Sequence, residues 1–273
     1  MRRIFALLLL MTMVLYGCDS APEGSGMDMI FFDVGKADCT YISVGESMLI
    51  DAGTQSDGES VTRILKEMGV EQIPILMISH FDRDHVGGAA QIIREFQVKK
   101  LICPDYMKES DESAACMEMA AKRGVEVIAV TSEYTLEIGG AELKIYPPQK
   151  AEYQDKQSNN SSLAAVLTYG ENRVLFTGDA EAERVAEITD ILDGEYDILK
   201  VPHHGVYQDG LQEFFAKVGA EYGIVTSSNK NPEDPETLEA LKRAGTEPVL
   251  TKDGRIHVNC NGKNITVKTG PKE

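Results

Sequence analysis

Between Ser79 and Gly88 the chain reads Ser-His-Phe-Asp-Arg-Asp-His-Val-Gly-Gly, which places four candidate metal ligands, His80, Asp82, Asp84 and His85, on one short stretch. Divalent transition metals require imidazole nitrogens or carboxylate oxygens gathered at about 2 Å. Two donors at alternating positions and two adjacent ones suit a pair of neighbouring cations better than a single one. A calcium loop using Asp82 and Asp84 is one alternative, but calcium takes about six to eight oxygens, and the oxygen and glycine spacing of an EF-hand is absent. A solvated acidic turn is the other.

The elements that must hold these donors can be read around them. Residues 73–78 form an apolar run with the signature of a buried strand, and a helical pattern opens at Ala89, so the ligands occupy a strand-to-helix loop. Strands are expected over residues 29–32, 39–44 and 48–50, then a helix over 61–68. Strands 100–103 and 125–130 flank a helix over 114–122, and residues 136–146 form a hairpin around Gly139-Gly140. Residues 149–158 are polar and turn-rich, hence a loop near the site. A hairpin over 163–167 and 173–176 delivers Asp179, with a helix following from Ala182. The strand 196–201 ends at His203-His204. Strands paired early, then alternating with helices, predict helices packed on the outer faces of sheets. Four of the five histidines fall in the pairs His80/His85 and His203/His204; His257, in a terminal hairpin, reads as ordinary.

The N-terminus carries Met1-Arg2-Arg3 and then about 13 apolar residues, short of the roughly 20 that a spanning helix needs. Residues 1–17 read as an export signal. Leu15-Tyr16-Gly17-Cys18 resembles a bacterial lipoprotein signal, in which Cys18 is lipidated and becomes the first mature residue; Tyr16 is bulkier than the usual occupant. A soluble secreted protein cut elsewhere is the alternative. Residues 18–27 are expected to be a flexible tether and 28–273 one globular domain, anchored at the outer face of the bacterial cell membrane by lipid alone. The formal net charge is −17, more negative still without Arg2 and Arg3, a field that repels polyanions and offers no basic track for long nucleic acid. Cys39, Cys103, Cys116 and Cys260 match no metal motif; a Cys103–Cys116 disulfide and four plain core thiols are both open readings.

Six motifs occur in order: Phe32-Asp33-Val34-Gly35, Ile50-Asp51-Ala52-Gly53, the Ser79–Gly88 stretch, Asn160-Ser161-Ser162-Leu163, Phe176-Thr177-Gly178-Asp179 and Leu199-Lys200-Val201-Pro202-His203-His204-Gly205. Together they resemble the metallo-β-lactamase superfamily, specifically the extracellular domain of ComEC-type competence proteins. The resemblance implies an α/β fold, an αββα sandwich over residues 28–273, with two divalent metal ions, Zn or Mn, at one edge. It makes Asp179 the carboxylate that bridges them; a helix N-cap is the plainer role. His80, Asp82, Asp84 and His85 complete the ligand set with one of His203 and His204, the other facing substrate. Asp84 or the spare histidine is the implied proton shuttle. Asn160, Ser161 and Ser162 are candidate donors to substrate oxygens, or a simple polar turn. Asp82 replaces the histidine usual in the wider superfamily, and the Asn160 region stands where other branches supply another, which hardens the site toward manganese. Asp234-Pro235 replaces the branch's His-Pro pair, and Lys36-Ala37 its Gln-Gly.

The chemistry expected is metal-assisted hydrolysis of a phosphodiester or other small ester, with extracellular DNA among the candidate substrates and no protein partner. A hydrolase of a different ester or a lactam, linked by fold alone, and a catalytically weak surface binding protein are the alternatives. A serine nucleophile is disfavoured because no G-x-S-x-G elbow is present.

Overall fold

The computed structural model describes residues 26–271. Its first half contains β1 (Met27–Phe31), β2 (Thr40–Val44), β3 (Glu46–Ile50), α1 (Asp57–Glu67), β4 (Ile75–Met77), α2 (Arg83–Val86), α3 (Ala89–Glu95), β5 (Lys100–Pro104), α4 (Asp111–Arg123) and β6 (Glu126–Val130). The second half contains β7 (Tyr134–Ile138), β8 (Ala141–Tyr146), α5 (Gln157–Asn160), β9 (Ala164–Tyr169), β10 (Asn172–Phe176), α6 (Ala182–Ile191), β11 (Ile198–Lys200), α7 (Leu211–Val218), β12 (Tyr222–Val225), α8 (Pro235–Arg243) and β13 (Glu247–Leu250). A last hairpin, β14 (Ile256–Cys260) and β15 (Ile265–Thr269), returns to the first sheet.

The strands form an eight-stranded sheet in the order β15-β14-β1-β2-β3-β4-β5-β6 and a seven-stranded sheet in the order β13-β12-β11-β10-β9-β8-β7. Both are antiparallel over one part and parallel over the other, β3 to β6 and β10 to β13. Parallel neighbours need long crossovers, and here helices supply them. Period-two alternation sorts the side chains. Met29, Phe31, Ile42 and Met48 face the other sheet, whereas Ile30, Tyr41 and Leu49 face outward under α1, α3 and α4. Val185 and Ile188 of α6, Phe214 and Phe215 of α7 and Leu241 of α8 cover the second sheet. The result is the expected αββα sandwich, with one core between the sheets and one beneath each helical layer.

Three details depart from the sequence reading. Met27 is fully buried in β1, where the tether was expected to end. The helix Leu211–Val218 and strand Tyr222–Val225 had no counterpart, although Leu211, Phe214, Phe215 and Val218 show the i, i+3, i+4, i+7 spacing of a buried helical face. Cys39, Cys103, Cys116 and Cys260 are free, buried thiols, so the disulfide reading is replaced by the core one; burial pushes Cys103 and Cys116 up to about 12. The signal and Cys18 lie outside the described residues. Among the described residues no helix is long and apolar enough to cross a membrane.

Candidate metal centre

The carboxyl ends of the central strands of both sheets meet at one edge, the place where α/β folds put their chemistry. β3 runs into Asp51, β4 into Ser79-His80, β10 into Asp179, β11 into His203-His204 and β12 into Thr226; Asp38 arrives on the β1–β2 loop. The backbone there is unusual. Asp51, His203 and His204 have φ of 58°, 44° and 55°, left-handed conformations that non-glycine residues seldom adopt and that concentrate at functional sites. Gly88 is required at the turn into α3, since a Cβ there would lie 2.2 Å from the carbonyl oxygen of Ala52.

His85 and His204 each have one ring nitrogen fixed by the protein, so their tautomers can be derived. The backbone N–H and Oγ of Ser79 both donate to Asp51, at 2.7 Å each, and the second Asp51 oxygen lies 2.9 Å from His85 Nδ1. A carboxylate only accepts, so His85 Nδ1 donates. Thr226 Oγ1 donates to Asp38 Oδ1 at 2.5 Å and thereby accepts from His204 Nδ1 at 3.0 Å. Asp38 is itself held by Lys200 Nζ at 2.7 Å. With the Nδ1 positions protonated, the Nε2 lone pairs of His85 and His204 point at one carboxylate. They lie 3.2 Å from Asp179 Oδ1 and 3.1 Å from Asp179 Oδ2, and His204 Nε2 is also 3.4 Å from Asp84 Oδ2.

Two acceptors facing each other at that distance repel unless a cation stands between them. His80 Nε2, His85 Nε2, His204 Nε2 and Asp179 Oδ1 are all buried without a hydrogen-bond partner among the described residues, which a native interior seldom tolerates. Asp84, His85, Asp179 and His204 have donor atoms close enough to share one ion. Without a cation there, the facing carboxylate favours a proton on the imidazoles. Burial alone would push His204 down, but Asp179 and Asp38 carry it up to about 10, and Asp179 with Asp51 likewise raises His85 well above the ordinary range. Asp179 is held well below the carboxylate range, burial being outweighed by His204 and His85. His80 goes the other way, to about 4, through burial and its neighbour His85. The donor set therefore fits divalent metal.

The profile of the Metallo-beta-lactamase superfamily matches residues 32–225. The chain belongs to this superfamily. It is 27% identical over 237 residues to ComE operon protein 3 of Bacillus subtilis (strain 168), covering 80% of this chain and 30% of that protein. To Recombination protein 2 of Haemophilus influenzae it is 29% identical over 205 residues, covering 73% of this chain and 24% of that protein. The chain thus spans less than a third of the length of either relative. Among solved structures, the metallo-β-lactamase fold protein YhfI from Bacillus subtilis superposes with a TM-score of 0.60 at 13% identity, covering 89% of this chain and all of that one. CmlA, a diiron β-hydroxylase from Streptomyces venezuelae, gives 0.55 at 13% identity, covering 86% and 54%. These likenesses establish the fold, while the chemistry must come from the site.

Within the metallo-β-lactamase frame, the residues singled out from sequence separate into groups. Asp84, His85, Asp179 and His204 come together directly. His80 lies beside them, in ring contact with His85 at 4.1 Å between centroids. Asp82 lines the same cleft but is engaged by Lys108 Nζ, 3.0 Å away, and by the hydroxyl of Ser158. The histidine pair is resolved: His204 is in the cluster, and His203 is partly exposed in the cleft, its Nε2 3.7 Å from Asp179 Oδ2 and its Nδ1 2.9 Å from Glu181 Oε1. Asp179 does not cap the following helix; the Asn160 amide oxygen does so, accepting from the backbone N–H groups of Glu181 and Arg184 at 3.1 and 3.3 Å.

Of the candidate substrate donors, Ser161 lines a neighbouring cleft that Tyr106 shares. Asn160, Ser161 and Ser162 are all buried. Ser161 Oγ donates to the Gln157 carbonyl, and Ser162 Oγ accepts from the Asp179 N–H at 3.1 Å, supporting the metal-facing carboxylate from behind. Their neighbours Gln157, Ser158 and Asn159 line the cleft over the metal donors. Asp38, Asp51, Lys200 and Thr226 were given no role from sequence. Asp38, Asp51 and Lys200 lie inside quoted motifs or beside them, and an acidic residue at a buried strand end was the available signal.

Proposed function

We propose that this chain is a surface-anchored, metal-dependent phosphodiesterase or nuclease, held to the outer face of the membrane by lipid on Cys18. The observation that carries the catalytic part is the convergence of two tautomer-fixed imidazole lone pairs, one from each sheet, on Asp179. Divalent cations held by Asp84, His85, Asp179 and His204, with His80 and Asp82 as further candidate ligands, would polarise a substrate oxygen and acidify a water. The chain's own residues supply the rest. Asp51 and the Asp38–Lys200 pair fix the ligand rings, an arrangement in which the outer carboxylate orients the imidazole and raises its basicity. His203 reaches the cleft and is oriented by Glu181, so it is positioned to hand a proton to a leaving group. Glu181 is steadied by the Asn159 amide, 3.2 Å away.

Competence-related proteins as relatives favour phosphodiesters over lactams as substrates. The test is metal content by mass spectrometry together with turnover of bis-p-nitrophenyl phosphate, plasmid DNA and a β-lactam. Phosphodiester cleavage that requires metal supports the reading. Lactam cleavage alone overturns the substrate class, and an inert metal-loaded protein overturns the enzyme.

A further inference from the structure

The cleft over the metal donors, about 550 Å³, is lined by Asp82, Asp84, Asp179 and His203 and also by Lys36, Lys108, Lys156 and Tyr106. Acidic residues outnumber basic ones by 44 to 27 in this chain, so three lysines around one opening run against its composition. They arrive on three separate loops, β1–β2, β5–α4 and the segment before α5, so that both sheets contribute. Lys108 and Lys156 lean inward, 3.0 Å from Asp82 Oδ1 and 4.0 Å from Glu181 Oε1, with side chains 46% and 62% exposed. Tyr106 is 39% exposed. The cleft does not stand alone. A second, of about 610 Å³, adjoins it through Asp82, Asp84 and Lys108 and adds Arg83. A third, of about 420 Å³, adjoins it through Tyr106.

Resting on the phosphodiesterase reading, we infer that Lys36, Lys108 and Lys156 form a rim that holds a single nucleic-acid strand by phosphates flanking the scissile one, with Tyr106 as a stacking face. A neutral ester or lactam gives the three ammonium groups no anion beyond the Asp82 and Glu181 carboxylates that Lys108 and Lys156 already face. An isolated diester presents one charge, which the metals attract. A chain of phosphates supplies the remaining charges, and the two adjoining clefts give it a path. An exposed aromatic ring takes the face of any unpaired base, whereas a duplex hides that face. The rim also changes what the net charge implies: repulsion acts on polyanion running over the outer surface, and the lysines offset it only at the cleft.

The experiment uses the metal-loaded full chain and a fluorescein-labelled, phosphorothioate-linked oligothymidylate of about ten nucleotides, within the ~4–16 that a single-strand groove covers. Anisotropy titrations are expected to show Kd at least tenfold weaker for K36A/K108A/K156A. The slope of log K against log salt should fall by about 2, since each phosphate contact on a single strand contributes about 0.7. K36A/K156A, which leaves Lys108 and Asp82 untouched, should lose at least threefold. Tyr106→Ala should erase the preference for thymidylate over an abasic strand of equal length. Wild-type affinity in both lysine variants, or tighter binding of duplex than of single strand, would overturn the rim. Turnover of bis-p-nitrophenyl phosphate separates the two readings. Lysine-dependent strand binding without turnover sinks the hydrolase and leaves the rim; turnover without such binding sinks the rim alone.

Discussion

Lys200 Nζ lies 2.7 Å from one oxygen of Asp38, while the other oxygen of that carboxylate lies 3.3 Å from His204 Nδ1. All three groups are buried. A buried ion pair adds little net stability, but deleting one partner strands the other charge at a cost of about 3–5 kcal/mol. Lys200→Met is therefore expected to lower the unfolding free energy by about that much in urea titrations with metal chelated. Adding Asp38→Asn should recover part of the loss, the coupling expected of residues in direct contact. Additive losses in the double variant would show that the pair does not act as one unit.

Asp51→Asn tests the outer carboxylate. Asparagine tolerates the left-handed backbone at this position, so the fold is expected to persist. The two interactions with Ser79 and the acceptor for His85 Nδ1 are weakened, and loss of such support commonly costs about 10–100-fold in metal affinity. Competition against a chromogenic chelator measures it, and unchanged affinity would remove Asp51 from the orienting role.

Asp179, His204 and His203 should separate by readout. Asp179→Ala and His204→Ala are expected to lower both bound metal and rate. His203→Ala should retain metal while its turnover falls by about 10²–10⁴, the range of general acid–base catalysis. Full metal retention by Asp179→Ala, with two equivalents bound, would end its bridging role.

Metal binding and metal-free stability should respond to pH with opposite signs. His204 is raised to about 10 in the folded, metal-free chain and His85 is raised too. With an unfolded value of about 6.5, the stability contributed by protonated His204 is complete below about pH 6.5 and is lost as pH rises through about 10. A bound metal displaces those protons, so apparent metal affinity is expected to climb by about one to two log units per pH unit between pH 6 and 8. Chelator competition across that window, beside thermal unfolding of the apo protein, checks both signs.

Cys18→Ser is expected to release the protein from the membrane fraction or leave it unprocessed, since stable anchoring takes about two acyl chains. Unchanged fractionation with the normal mature mass would exclude lipidation at Cys18.

Much of the centre was legible because its donors sit at strand ends in contiguous motifs: His80 through His85, Asp179 and the His203-His204 pair. The paired histidines could not be told apart from sequence, because consecutive left-handed residues do not obey the alternation that assigns faces to a strand. Asn160, Ser161 and Ser162 carry the hydroxyls and amide expected of a substrate site, yet Asn160 caps a helix, Ser162 accepts from the Asp179 backbone and Ser161 donates to the Gln157 carbonyl. Polar side chains look alike until their partners are known. The Asp38–Lys200 contact joins residues far apart in the chain, and the lysine rim is hidden in a net charge that sums over the whole surface. Helix Leu211–Val218, by contrast, was legible in its apolar spacing and went unread.

β1 sits inside the first sheet, hydrogen-bonded on one side to β2 and on the other to β14, with Met27 opposite Cys260 and Phe31 opposite Ile256. A strand near the start of the described residues thus waits for one near their end. Until residues 256–260 leave the ribosome, β1 carries an open edge and Met27, Met29 and Phe31 lack part of their cover. Contacts so distant in sequence are slow to form, so the first sheet is expected to close late in folding. A truncation that removes only the final hairpin is expected to expose the edge of β1 and drive strand-to-strand aggregation, although every metal donor would still be present.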